Sequence, residues 1–129
     1  MSEHLQNNNL VTGQTSDTAI VFLKAEAYDS LGVEGYKLNI STKKITVRAN
    51  HLQGALHAVF SILQLRLLQP DKLKIPCTDI VDYPRFTYRG MHLDVSRNFF
   101  PVSFIKKYID IMAMYKFNTF HWHLTDGPG

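Results

Sequence analysis

Long apolar runs are missing from this chain. No stretch of about 20 consecutive apolar residues occurs among its 129 residues, so nothing in it is long and apolar enough to span a bilayer as a helix. It holds one cysteine, Cys77, which excludes an intrachain disulfide. The apolar neighbours in Lys74-Ile75-Pro76-Cys77 predict a buried structural thiol. Charge is sparse at 19%, and its 14 basic and 11 acidic residues are scattered without a block, for a net charge of +3. Such a distribution argues against nucleic acid or an anionic membrane as partner. The opening MSEHLQNNNLVTGQT carries no apolar core of a secretory signal, so none is expected there.

What is present suits a globular chain. Hydrophobic residues make up 45%, and the length suits one ordinary domain of about 100–150 residues. Residues 1–17 are polar and predict a loose lead-in. Ala19-Ile20-Val21-Phe22-Leu23 reads as a buried strand. Gly35–Ile40 and Lys44–Arg48 alternate with period two around Ser41-Thr42-Lys43, which predicts an antiparallel hairpin.

From His51 the period lengthens. Leu52, Ala55, Leu56, Val59, Leu63 and Leu67 recur at three- and four-residue steps, as the apolar face of a helix does. Gly54, Ala55 and Ala58 would let that helix approach a sheet closely, with Asn50 as N-cap and Pro70 bounding the far end. Residues 18–82 therefore predict a small α+β domain: an antiparallel sheet with a helix on one face. No polar cluster marks this layer, and a supporting role is its natural reading.

Residues 83–129 predict a second organisation. Tyr88–Val95 is a strand, Pro101 opens a helix at a first-turn position, and Val102, Ile105, Tyr108, Ile109 and Met112 form its apolar stripe. Asn118–Leu124 is a second strand. Strand, helix and strand make a βαβ unit with parallel strands and a right-handed crossover. In such units the functional groups stand where strands end. Those ends carry Asp94, Ser96 and Arg97 on one strand and His123, Thr125 and Asp126 on the other.

An Asp beside an Arg can hold the guanidinium so that its paired donors meet vicinal sugar hydroxyls. Equally, Asp94 and Arg97 can simply close a loop. His121 and His123 share a strand face and could grip one metal with His92 and Asp94, or pack as hydrogen-bonded imidazoles. Trp122, on the opposite face, is expected beneath the helix. Of the aromatic residues crowding this end, Phe99 and Phe100 beside Arg97 are the two not absorbed by either core pattern.

Three segments together carry a family resemblance. They are Pro84-Arg85-Phe86-x-x-Arg89-Gly90, Leu93-Asp94-Val95-Ser96-Arg97-Asn98-Phe99-Phe100-Pro101 and Asn118-x-Phe120-His121-Trp122-His123-Leu124-Thr125-Asp126. They resemble the family 20 glycoside hydrolases, the β-N-acetylhexosaminidases. Upstream, Glu34-Gly35-Tyr36-x-Leu38 and Gly54-Ala55 through Gln64-Leu65 are similar to the small domain preceding the barrel in that family.

The resemblance implies a (β/α)8 barrel, of which residues 83–129 are the first βαβ unit. It implies hydrolysis of terminal N-acetyl-D-hexosamine residues from glycans by substrate-assisted retaining catalysis. There the substrate's 2-acetamido oxygen attacks the anomeric carbon, an Asp orients that group, and an adjacent Glu is general acid. Carried over by position, Arg97 is the sugar-hydroxyl ligand, and Asp126 and His123 support the site; Arg89 and Asp94 are structural. No cofactor and no metal is implied.

The chain departs from the pattern after Thr125. Asp126-Gly127-Pro128-Gly129 replaces the family's Asp-Asp-Gln-Gly-Trp-Arg, and no Asp-Glu dipeptide occurs anywhere. A barrel needs about 250 residues. The expectation is thus an amino-terminal portion of such an enzyme, without hydrolytic activity by itself. The alternatives are a non-catalytic sugar-binding or docking module, and a metal-dependent hydrolase using His121 and His123. Localisation and oligomeric state are left open.

Overall fold

The computed structural model describes residues 19–24, 29–69 and 74–126. The chain divides into two compact units, Met1–Pro84 and Arg85–Gly129.

In the first unit, strands β1 (Ala19–Lys24), β2 (Tyr36–Ile40), β3 (Lys44–Ala49) and β4 (Thr78–Asp82) form one sheet in the order β1-β3-β2-β4. The expected hairpin is there: β2 and β3 pair antiparallel with Tyr36 opposite Ala49 and Ile40 opposite Ile45. Ser41 tightens its turn, because its hydroxyl donates to the Lys44 carbonyl at 2.9 Å. Strand β4 adds antiparallel to β2.

The sheet is mixed, however, not antiparallel throughout. Strand β1 runs parallel to β3, with Phe22 beside Val47. Alternation in a sequence sets which face a residue takes, not which strand it pairs with. Between β1 and β2 the chain passes a 3-10 turn at Asp29–Leu31 and skips over β3, where a tight hairpin would have made β1 and β2 neighbours. Nor is β1 a buried strand. At the sheet edge its Ile20 and Phe22 are 48% and 36% exposed.

The core lies on one sheet face. Tyr36, Leu38 and Ile40 of β2 and Ile45, Val47 and Ala49 of β3 are buried against Ala58 and Ile62. A side chain as fully enclosed as Leu38 or Val47 contributes about 1.5–3 kcal/mol over its exposed state. Helix α1 (Leu52–Leu67) supplies Ala58 and Ile62, and it presents the face opposite to the expected one. Its buried residues are Gly54, His57, Ala58, Ser61 and Ile62, whereas Leu52, Leu56, Leu63 and Leu67 point outward.

Close approach explains the choice. A Cβ at Gly54 would collide with the Gly35 carbonyl oxygen, so the face that carries Gly54 and Ala58 is the one that can approach the sheet this closely. The outward face and β1 leave an apolar groove of about 560 Å³ lined by Phe22, Leu52, Ala55, Leu56 and Val59.

Three further expectations are corrected. Residue His51, not Asn50, is the N-cap of α1, and the Asn50 amide instead donates to the Gly32 carbonyl at 3.4 Å. Pro70 and the polar lead-in lie outside the described residues. Cys77 is exposed: it sits in the surface link before edge strand β4, where only alternate residues such as Ile75 reach the core.

One polar triad crosses this core. The Tyr36 hydroxyl donates to Asp82 Oδ2 at 2.9 Å and lies 2.6 Å from Ser61 Oγ. Tyr36 has one hydroxyl hydrogen, committed to the carboxylate, so Ser61 donates to Tyr36 Oη. Helix α1, central strand β2 and edge strand β4 are thereby joined.

Candidate functional site

The second unit is strand β5 (Gly90–Asp94), helix α2 (Val102–Met114) and strand β6 (Thr119–His123). The strands are parallel, as expected, pairing Gly90 with Thr119 through Asp94 with His123. The Val95 N–H extends the ladder to the His123 carbonyl at 3.1 Å. Pro101 stands one position earlier than expected. With φ −67° and ψ 154° it is the N-cap of α2, and its carbonyl takes the first helical bonds from Phe104 and Ile105.

Alternation gives the two sheet faces different chemistry. Toward α2, aromatic rings run in succession: Phe100–Phe104 at 4.7 Å between centroids, Phe104–Tyr108 at 6.1 Å, Tyr108–Phe120 at 5.6 Å and Phe120–Trp122 at 5.9 Å. Trp122 thus lies on the helix side, as its position predicts. Within the expected α2 stripe only Ile105 and Met112 are buried; Val102 and Ile109 are exposed. Phe99, one of the two unabsorbed aromatics, is 90% exposed, whereas Phe100 joins the ring series.

The opposite face is polar. His92 meets His121 edge-on at 4.7 Å between centroids and lies 6.1 Å from His123. Among the described residues, no group of three or more His, Cys, Asp or Glu is arranged to hold a metal ion.

At the carboxyl ends of the strands, Asp94, Arg97, His123 and Asp126 come together. Asp94 Oδ1 accepts the backbone N–H groups of Ser96 at 3.0 Å and Arg97 at 3.2 Å, which bends the chain back over the strand end. Asp94 Oδ2 accepts Arg97 Nη1 at 2.5 Å, and Arg97 Nη2 reaches Asp126 Oδ2 at 3.0 Å. One guanidinium is therefore clamped between carboxylates from two strand ends. Each terminal nitrogen carries two hydrogens and commits one here, so the fork keeps directed donors while its plane is fixed.

His123 sits between the same two acids, with Nδ1 3.6 Å from Asp94 Oδ1 and Nε2 3.9 Å from Asp126 Oδ2. Both separations exceed a direct hydrogen bond. The Arg97 side chain is 67% exposed and Asp94 only 20%. Removal from water is the largest influence on the Asp94 carboxyl and raises its pKa. The Arg97 N–H, the Arg97 guanidinium and the Ser96 N–H together outweigh it, holding the pKa below the ordinary 3.8.

At the other end of the strands a second polar array ties β5 to β6. Arg89, read from sequence as structural, donates from Nε to the Lys116 carbonyl at 2.8 Å and from Nη1 to the Phe86 carbonyl at 2.7 Å. The Asn118 side chain accepts the Arg89 N–H at 3.0 Å and donates to the Thr87 carbonyl at 2.7 Å. Sequence reasoning assigned no role to Asn118 or Lys116. The available signal was a polar residue directly ahead of an apolar strand.

A parallel strand–helix–strand unit with a clamped Arg and carboxylates at its strand ends defines a class: α/β proteins with a polar site at the carboxyl ends of their strands. The comparisons narrow it. Residues 86–129 match the model of the glycosyl hydrolase family 20 catalytic domain, and residues 2–83 match domain 2 of the same family. The chain belongs to glycosyl hydrolase family 20.

A beta-hexosaminidase of Vibrio furnissii is 47% identical over 94 residues, covering 73% of this chain and 15% of the relative. The beta-hexosaminidase subunit alpha of Bos taurus is 40% identical over 103 residues, covering 78% and 20%. Among solved structures, the family 20 exo-β-N-acetylglucosaminidase of Vibrio harveyi in complex with N-acetylglucosamine superposes with a TM-score of 0.74 at 41% identity. It covers 85% of this chain and 17% of its own. The chain thus spans about a fifth or less of the length of these relatives.

Proposed function

We propose that this chain contributes the supporting domain, residues 18–82, and the first βαβ unit of a (β/α)8 barrel, residues 83–129, to a β-N-acetylhexosaminidase. The reaction is removal of terminal N-acetyl-D-hexosamine residues from glycans by substrate-assisted retaining hydrolysis. Arg97 is the sugar ligand. Its guanidinium, held by Asp94 and Asp126, offers fixed donors to vicinal hydroxyls of the terminal sugar, and His123 supports the two acids. The observation that carries this reading is the two-carboxylate clamp on an exposed Arg97. Family membership supports the substrate class.

The same chemistry limits these 129 residues. Hydrolysis by this route needs an acid to protonate the leaving oxygen and a carboxylate to orient the acetamido group. No Asp-Glu pair occurs in the sequence. Alone, the chain binds and does not cleave, which also keeps open a non-catalytic sugar-binding role. The metal-dependent alternative on His121 and His123 has no ligand set among the described residues.

A chromogenic N-acetylglucosaminide assay on the purified chain separates these readings. No turnover above buffer is expected. Robust turnover abolished by Arg97→Ala would overturn the proposed inactivity, and turnover abolished by a chelator would reinstate the metal reading.

A further inference from the structure

The clamp depends on which residue of β5 faces which residue of β6, and the hydrophobic pattern does not fix that pairing alone. A one-residue slip is forbidden, since it would turn Phe120 and Trp122 to the polar face. A two-residue slip is not. It keeps Met91, Leu93, Phe120 and Trp122 on the helix side and His92, Asp94, His121 and His123 on the other. Yet it moves Asp94 about 6.6 Å along the strand, to face His121 or Thr125 instead of His123. The 3.0 Å pair between Arg97 and Asp126 could not survive such a shift. Something besides the apolar alternation must choose the register.

We infer that Arg89 and Asn118 are positioning residues that set the β5–β6 register and thereby assemble the Asp94–Arg97–Asp126 clamp from the far end of the strands. Both strands enter through these residues. The Arg89 carbonyl accepts the N–H groups of Asn118 at 2.9 Å and Thr119 at 3.2 Å. The Asn118 side chain answers by accepting the Arg89 N–H, and the Thr119 hydroxyl donates to the same Asn118 Oδ1 at 3.1 Å. Asn118 Nδ2 reaches the Thr87 carbonyl, so one amide holds the chain at both Arg89 and Thr87.

The end of α2 is held to the same point. Lys116 takes φ 61°, its N–H bonds to the Ala113 carbonyl at 3.0 Å, and the Phe117 N–H bonds to the Met112 carbonyl at 2.9 Å. This is the helix-ending motif in which glycine usually occupies the left-handed position. It aims the Lys116 carbonyl at Arg89 Nε. A two-residue slip would break the cross-strand side-chain bonds, from Asn118 to Arg89 and Thr87 and from Arg89 to Lys116, at once. The array stands roughly 16 Å from the clamp, five strand steps from Arg89 to Asp94, so its effect on Arg97 is transmitted by register alone.

The inference uses the proposed role of Arg97 only for its functional consequence; the register itself is read independently by NMR on the whole 129-residue chain. In Asn118→Ala, the cross-strand contacts joining Asp94 to His123 should give way to those of a slipped pairing. Exchange of the Val95 amide should rise at least tenfold, while the amides of Tyr36–Ile40 stay unchanged. Asn118→Asp keeps the acceptor for the Arg89 N–H and should restore the Asp94–His123 contacts, which a generic loss of packing would not do.

If Asn118→Ala leaves the second unit unfolded, Arg89→Lys decides. It deletes the Nε and Nη1 bonds but spares the backbone ones, and should speed Val95 exchange severalfold. Native contacts and native Val95 exchange in either folded Asn118→Ala or Arg89→Lys overturn the inference. Failure of the unaltered chain to bind N-acetylglucosamine, with the register effect intact, would count against the sugar reading and leave this one standing.

Discussion

Asp94 accepts three hydrogen bonds on its two oxygens, and its acidity follows from them. Its folded pKa lies below 3.8, so the sign of its linkage is fixed: the stabilisation is present above the unfolded value and is lost as pH falls through the folded one. The Ser96 and Arg97 amides that donate to Oδ1 report it directly. Their chemical shifts should hold steady from neutral pH to about 4 and move together only below 3.8, and Asp94→Asn should abolish that movement. Movement centred well above 3.8 would show that the donors do not hold the carboxylate. Lys116 makes a second residue-scale case. In the left-handed region alanine carries a Cβ cost that glycine avoids, so Lys116→Ala should be less stable than Lys116→Gly by about 1 kcal/mol in denaturant unfolding. The juxtaposition of Asp94 and Arg97 was legible from their spacing and the expected strand end. The left-handed turn at Lys116 was not, because a lysine gives no sign of a conformation normally marked by glycine.

At the level of elements, helix α1 shows how a correct period can yield the wrong face. Leu52, Leu56, Val59 and Leu63 do recur at helical steps, but so do Gly54, Ala58, Ser61 and Ile62, and close approach to Gly35 selects the second set. Sequence counts apolar residues; it does not weigh the distance at which a helix must pack. Ala58 is 0% exposed, so Ala58→Leu should overpack the sheet interface and destabilise the first unit by about 1–3 kcal/mol. Leu56→Gln, on the outward face at 49% exposure, should change stability by less than about 1 kcal/mol. The reverse ranking in thermal unfolding would restore the leucine face to the sheet. Tyr36→Phe tests the triad that joins α1 to β2 and β4. It leaves Asp82 and Ser61 short of one partner each and should cost about 1–3 kcal/mol. The β2–β3 hairpin and the parallel β5–β6 pair were both legible, because strict alternation and the intervening helix leave few arrangements. The parallel β1–β3 pairing was hidden in a connection that skips one strand.

For the whole molecule, two units carry two different kinds of information. The first is a sheet and helix whose polar groups serve packing; the second gathers Arg97, Asp94, His123 and Asp126 at one end of two strands and a register-setting array at the other. The chain belongs to glycosyl hydrolase family 20. The central claim is that Arg97, clamped by two acids, is a sugar ligand in a chain that does not itself cleave sugar. Titrating the isotopically labelled 129-residue chain with N-acetylglucosamine, with its enzymatic inertness checked in the same tube, tests it most directly. Weak binding, of order millimolar for so few contacts, should shift the signals of Ser96, Arg97 and Asp126, and Arg97→Ala should erase those shifts while the first unit's signals stay in place. Shifts that persist in Arg97→Ala, or no shift at saturating sugar, would contradict the account.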